Sequence, residues 1–436
     1  MMSQRPNILL IITHDLGTHL GCYGGASVQT PALDALASEG VRFENHFCTA
    51  PYCSPSRGAI FTGRYPHSNG LMGLVNLGWD LPEPSATLAQ MLAGSGYATF
   101  LFGLQHEVRD AERLRSYFHH VSDRSTGVSC DTVAPQVVDF LETRDKAHGR
   151  PFYARVGFSE VHRPYERYDP DDPDSVTVPP YLEHTPGARQ DIAMFQGSVR
   201  RMDGAVGRIL DALDRSGLRE NTMVIFTTDH GIAFPRAKAT LYDPGLRTSL
   251  IIHRPDGIAQ GRTMREMVSN IDLLPSLLDA AGVPAPDHIQ GRSFWELLNG
   301  NPYTPNEQIF AEKNTTPDDV KRCIRTTRHK YIRNYDEGPM LQLPTDIEAS
   351  LTRRDMGDDH LSPRPPVELY DLEADPLEMN NLAGQAEMQK IEQDLAGRLT
   401  RVLDETDDPI LQGAIPRPPD EAELLRRARE RVKRAM

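Results

Sequence analysis

The run Asn7-Ile8-Leu9-Leu10-Ile11-Ile12-Thr13 limits the folds open to this chain more than any other stretch. An apolar run without alternation is what a strand buried on both faces requires, and such strands belong to parallel sheets covered by helices. It ends on His14 and Asp15, which places two polar side chains at the carboxyl end of that strand. The pattern then repeats. Thr30-Pro31 supplies an N-cap and a first-turn proline, Leu33, Leu36 and Ala37 share one helical face, and Gly40 ends the helix. Residues 88–92 and 135–141 read as helices, 97–102 and 151–158 as strands, and 194–213 as a long helix. Residues 222–228 read as a strand that delivers Asp229 and His230 at its end. Alternation at this spacing predicts an α/β fold, a large, mostly parallel sheet sandwiched by helices, with the ligand site beyond the strand carboxyl ends.

After 298–300, Asn301, Pro302 and Pro305 mark a linker-like break. Beyond it, 323–335 alternates polar and apolar residues and 367–370 reads as another short strand, which predicts a small antiparallel sheet. The chain thus divides into an α/β catalytic body at 1–300, a small antiparallel-sheet subdomain at 301–390 and a helical C-terminal arm at 391–436. The arm ends in a charged helix over 421–434 with Leu424 and Leu425 on one side, a solvated or subunit-contacting face that makes a homo-oligomer the expectation.

A net charge of −14 over 436 residues argues against nucleic acid or an anionic membrane surface as partner, since both call for a basic face. An anionic substrate must then be attracted by a local cluster of Arg, Lys, His and metal. The amino-terminal apolar run is too short for a membrane span or a signal peptide. Five cysteines, an odd number without a CxxC pair, suggest neither a disulfide framework nor structural zinc, so a cytoplasmic location is expected.

Cys53-Ser54-Pro55-Ser56-Arg57 precedes Gly58-Ala59-Ile60-Phe61-Thr62-Gly63. Proline in the first turn puts the cysteine at a helix N-terminus, where unpaired N–H groups and the helix dipole favour negative charge. Arg57 projects from the same turn and can neutralise an oxyanion. By themselves these residues support either a reactive thiol at an anion site or an inert buried cysteine.

C-x-P-x-R followed by an apolar pair and Thr-Gly resembles the signature of the type I sulfatases, in the alkaline phosphatase superfamily. The likeness runs along nearly the whole chain, through 5–15, 96–106, 158–165, 228–247 and 368–376. Pro66-His67-Ser68-Asn69-Gly70, and Phe234-Pro235 with Leu241-Tyr242-Asp243-Pro244-Gly245, are most similar to bacterial relatives of heparan N-sulfatase. The resemblance implies that Cys53 is oxidised to formylglycine, with a formylglycine-generating enzyme as maturation partner, and that the substrate is a small anionic sulfate ester or sulfamate. One hydroxyl of the hydrated aldehyde, deprotonated on a divalent metal, would attack sulfur, and the other would expel sulfate as the aldehyde re-forms. It further implies that His106 acts as base on the second hydroxyl, while His162 and Lys238 bind sulfate oxygens and assist the leaving group.

Two departures from the family pattern bear on the chemistry. The family carries two consecutive aspartates after its first strand and an Asp-Asn pair after the later one, an all-oxygen site suited to calcium. Here the pairs are His14-Asp15 and Asp229-His230. The implied ligands are Asp15, Asp229, His230 and the group derived from Cys53, with His14 either a ligand or an outer donor. Imidazole nitrogen moves the preference toward manganese, zinc or iron, and calcium stays open. The second departure is Gly103-Leu104-Gln105-His106, which lacks the lysine of the family's Gly-Lys-x-His element, so Gln105, Arg163 or another residue must compensate. Two further readings follow. One is a phosphonate monoester or phosphodiester hydrolase with the same nucleophile, since phosphonate monoester hydrolases are similar in their Asp-His pair. The other is a catalytically silent binding protein in which Cys53 is never oxidised. His19, His67 and His253 are expected to be packing residues.

Overall fold

A computed structural model describes residues 5–25, 27–144, 149–256, 260–315 and 319–435; residues 1–4, assigned above to the α/β body, lie outside this set. The main sheet has eight strands. In spatial order they are His120–Val121, Ala98–Gly103, Phe152–Gly157, Asn7–Thr13, Thr222–Thr228, Leu250–His253, Val41–Phe43 and Arg262–Met264. All run parallel to the first strand except Leu250–His253, which is antiparallel to both neighbours.

Alternate residues of the unbroken apolar strand serve opposite faces. Leu9 and Ile11 pack beneath the helices Pro31–Glu39, Cys130–Thr143 and Pro186–Arg215. Ile8, Leu10 and Ile12 pack with the Cys53–Thr62, Leu88–Gly94 and Leu273–Ala280 helices on the other side. Both sets are fully buried, which is why the sequence shows no polar alternation there.

Register sets the site. Thr13 pairs with Thr228, Ile12 with Gly157, and Gly157 with Gly103, so four neighbouring strands end at one level. Gly103 and Gly157 allow the close approach: a Cβ on Gly157 would lie 2.1 Å from the Leu104 carbonyl oxygen, and one on Gly103 2.4 Å from that of Gly157.

The second sheet is an antiparallel meander of Gln308–Lys313, Lys321–Thr326, His329–Asn334 and Val367–Asp371. One face, through Ile309, Ala311, Cys323 and Ile332, packs on Phe47, Leu241 and Leu246 of the body. The other is covered by Leu395, Leu399 and Leu403 of the helix Gln389–Glu405. The final helix, Glu421–Ala435, turns back on the body: Trp79 Nε1 donates to Glu421 at 2.7 Å, and Leu424 and Leu425 rest against the main core. Part of the face read as solvated or subunit-contacting is therefore covered by the chain itself.

Two local expectations change. Thr30 does not cap the helix that follows it. Its hydroxyl is turned to Asp34, and the Ala32 and Leu33 N–H groups are taken by the Asp203 carboxylate from the long helix. The helix read from Pro135 begins at Cys130 and carries that proline inside it. Among the described residues no helix is long and apolar enough to cross a membrane.

Candidate active site

The four aligned strand ends deliver their side chains into one buried cluster. His14 and Asp15 follow the first strand, Asp229 and His230 its neighbour, and one ligand atom from each of the four lies within 4.8 Å of the others. Asp15 adopts a left-handed backbone with φ 50°, unusual for a residue with a side chain and held here by the surrounding turn. Its own N–H donates to Asp229 Oδ1 at 2.9 Å, as does that of His230. His14 Nδ1 sits 2.6 Å from Asp15 Oδ1 and 3.3 Å from Asp229 Oδ2. His230 Nδ1 donates to the Gly231 carbonyl at 2.9 Å, which leaves Nε2 3.1 Å from Asp15 Oδ1. The Nε2 atoms of both histidines are buried without a hydrogen-bond partner.

Cys53 is the first residue of its helix, preceded by the extended Tyr52. It shares a cluster with His14 and His106, and His106, His14 and His230 all approach its sulfur. Burial pushes the thiol up, but these imidazoles outweigh it and hold the group well below the usual thiol range. Burial likewise works against charge on His14, His230, Asp15 and Asp229, and is overcome in each. Asp229 and Asp15 hold His14 at about 9 and His230 at about 10. Lys238 and His14 keep Asp15 well below the ordinary carboxylate range, and His14, His230 and Arg57 keep Asp229 there.

Lys238 Nζ donates to Asp15 Oδ2 at 2.7 Å and to Asp346 Oδ2 at 2.8 Å, and lies 3.4 Å from His162 Nε2. Burial disfavours its charge, but Asp15 and Asp346 raise it well above the normal lysine value. His162 Nδ1 donates to the Arg163 carbonyl at 2.5 Å, so Nε2 faces Lys238; partial burial and then the ammonium lower its affinity for a proton. Arg57, fully buried, reaches behind the cluster, with Nε 3.0 Å from Asp229 Oδ2 and an amino group 2.7 Å from the Thr13 carbonyl oxygen. The structure thus brings together Cys53, Arg57, His106, His162, Lys238, Asp15, Asp229, His230 and His14. It places Arg57 beneath the Asp229 carboxylate, with Nη1 buried and without a hydrogen-bond partner.

Neither residue suggested as compensation for the missing lysine is free. Gln105 accepts from the Glu107 and Val108 N–H groups and donates to the Val108 carbonyl. Arg163 forks onto Asp191 with two 2.7 Å contacts and donates to the Ala233 carbonyl. His67 lies in a buried network with Glu312, Asp408 and Arg322. The sequence reading missed three contributors. Asp346 comes from the small-sheet region, Asn270 donates to Ser56 at 3.0 Å, and Glu107, paired with buried Arg155, accepts from the His106 N–H. Only Glu107, beside His106, carried a local signal.

A cysteine-headed helix thus faces paired carboxylates at the carboxyl ends of a mostly parallel sheet. Residues 6–283 match the family described as Sulfatase, and 230–349 that described as N-sulphoglucosamine sulphohydrolase, C-terminal. The chain belongs to the sulfatase family. It is 29% identical to the N-sulphoglucosamine sulphohydrolase of Homo sapiens, over 93% of this chain and 91% of that protein. It is 27% identical to an ulvan-active sulfatase of Formosa agariphila, over 92% and 75% respectively. A chain solved with its substrate D-glucosamine-2-N,6-O-disulfate shares the fold at TM-score 0.73 and 22% identity, covering 93% of this chain and 99% of that one. The phosphonate monoester hydrolase of Agrobacterium radiobacter does so at TM-score 0.72 and 21% identity, covering 95% and 100%.

Proposed function

We propose that the protein hydrolyses the sulfate ester or sulfamate of a small anionic sugar, with formylglycine made from Cys53 as nucleophile and a divalent transition metal as cofactor. One observation carries this reading: the head of the Cys53 helix meets the His14, Asp15, Asp229, His230 cluster at the strand ends. That cluster fits a metal, because two carboxylates and two imidazoles converge in a buried setting, with His14 Nε2 making no hydrogen bond and His230 Nε2 held 3.1 Å from Asp15 Oδ1. Nitrogen donors favour manganese or zinc over calcium. A cation held there would supply Lewis acidity toward the nucleophile and the sulfate oxygens.

The remaining work falls to the side chains. His106 lies beside Cys53 and His14, where it can accept a proton from the residue at 53. Lys238, held between Asp15 and Asp346, is the ammonium that would meet sulfate oxygens. His162 keeps Nε2 toward Lys238 and the site, positioned to carry a proton to the leaving atom. Arg57 and Ser56, whose hydroxyl donates to the Asp229 carbonyl at 2.5 Å, fix the carboxylate strand end. The reading requires a formylglycine-generating enzyme as maturation partner.

A phosphonate monoester or phosphodiester substrate is the second reading, favoured by His230 beside Asp229 and by the engagement of Gln105 and Arg163 elsewhere. Mass spectrometry of the Cys53 peptide should find the aldehyde in protein co-expressed with the maturation enzyme; a thiol that always survives would favour the silent binding reading. Side-by-side kinetics on aryl sulfate and aryl phosphonate esters should show the higher kcat/KM on sulfate, and the reverse order would transfer the assignment to phosphonates.

A further inference from the structure

One carboxylate is out of keeping with a site for anions. Asp346, on the short helix Thr345–Glu348, places Oδ2 2.8 Å from Lys238 Nζ and 3.8 Å from His162 Nε2. These are the two groups assigned above to the sulfate oxygens and the leaving atom, so a negative charge there opposes an anionic substrate and neutralises the cation meant to hold it. Gln105 and Arg163 are committed elsewhere. Lys238 does not need Asp346 to hold it, because Asp15 already accepts from it at 2.7 Å. Asp346 also differs from the other two carboxylates in keeping 19% of its side chain exposed, where Asp15 and Asp229 have none. Ionised sulfate offers no hydrogen-bond donor, but a leaving group can.

We propose that Asp346 is a specificity residue that touches the substrate: its carboxylate accepts a hydrogen bond from an N–H or O–H that the leaving group carries on, or next to, the atom bonded to sulfur. This rests on the sulfatase reading and adds the class of leaving group, a sulfamate or a sulfate flanked by a free hydroxyl, in preference to a plain aryl sulfate. The donor compensates the charge that Asp346 puts beside the sulfate, and a leaving group without one leaves a charged acceptor unpaired.

The test uses the matured enzyme with wild type, Asp346→Asn and Asp346→Ala, and inorganic sulfate release as readout. Cyclohexylsulfamate carries only the N–H donor, cyclohexane-1,2-diol monosulfate only the O–H, and 4-nitrophenyl sulfate neither. The expected result is that the ratio of kcat/KM for a donor-bearing substrate over 4-nitrophenyl sulfate falls roughly 100-fold in Asp346→Ala, and less in Asp346→Asn, which keeps a neutral acceptor. Whichever of the first two substrates shows the fall identifies the donor. If all three rates drop in proportion, Asp346 only positions Lys238 and the proposal is overturned. A wild-type enzyme that releases sulfate from none of them would instead overturn the sulfatase reading itself.

Discussion

Arg57→Ala removes a guanidinium that no solvent reaches and that holds Asp229 from behind. Two hydrogen bonds go with it, 3.0 Å to Asp229 Oδ2 and 2.7 Å to the Thr13 carbonyl oxygen, and the carboxylate stays buried. A hydrogen bond to a charged group contributes about 1.5–3 kcal/mol, and stranding one member of a buried ion pair costs about 3–5 kcal/mol. His14, at 3.3 Å from Asp229, compensates part of the charge, so the expected loss of unfolding free energy is about 3–4 kcal/mol. Arg57→Lys keeps the charge but not the fork, and should lose about half as much. The assay is urea unfolding of chelator-treated protein followed by circular dichroism, at low salt and near about 1 M salt; a buried pair is screened little, so the deficit should survive the salt. A deficit under about 1 kcal/mol, or one that salt erases, would refute the claim that Asp229 is a buried charge sustained by Arg57.

Cys53→Ala should abolish turnover while leaving thermal unfolding near that of the wild type, and an active variant would remove the nucleophile from this chemistry. His14→Asp combined with His230→Asn gives an all-oxygen ligand set, so after dialysis against equal calcium, manganese and zinc, elemental analysis should find the retained metal shifted toward calcium; an unchanged ratio would show that imidazole does not set the choice. Asp203, whose carboxylate accepts from the Ala32 and Leu33 N–H groups, is pushed by burial from 3.8 to about 6, against the pull of those two hydrogen bonds. The folded state thus disfavours its ionised form. Its contribution to stability is full below pH 3.8 and falls as pH rises through about 6, by about 3 kcal/mol for a shift of about two units. Asp203→Asn should flatten the stability profile over that window, and a variant curve parallel to the wild type would show that another group titrates.

The strand at Asn7–Thr13, the paired polar residues that follow it and Thr228, and the cysteine-headed helix are all legible in the sequence, because each is written in a few adjacent residues whose period or spacing sets the local structure. The reversed strand Leu250–His253 was not, since three apolar residues and a histidine give no direction. Thr30 looked like a cap by its place in the sequence, but a carboxylate arriving from Asp203 makes the bonds instead. Gln105 and Arg163 were candidates by position, and their donors are engaged by the Val108 carbonyl in a local turn and by Asp191 in a fork.

Local sequence determined which side chains reach the strand ends, because a parallel sheet with helical crossovers leaves its polar residues at one edge whatever lies between them. Tertiary structure alone decided which of them touch. Asp346 lies 108 positions beyond Lys238, and only the packing of the small-sheet region against the body brings its carboxylate to that ammonium. Contacts of that kind depend on the closure of long loops and on register, and these are properties of the assembled core rather than of any stretch of chain.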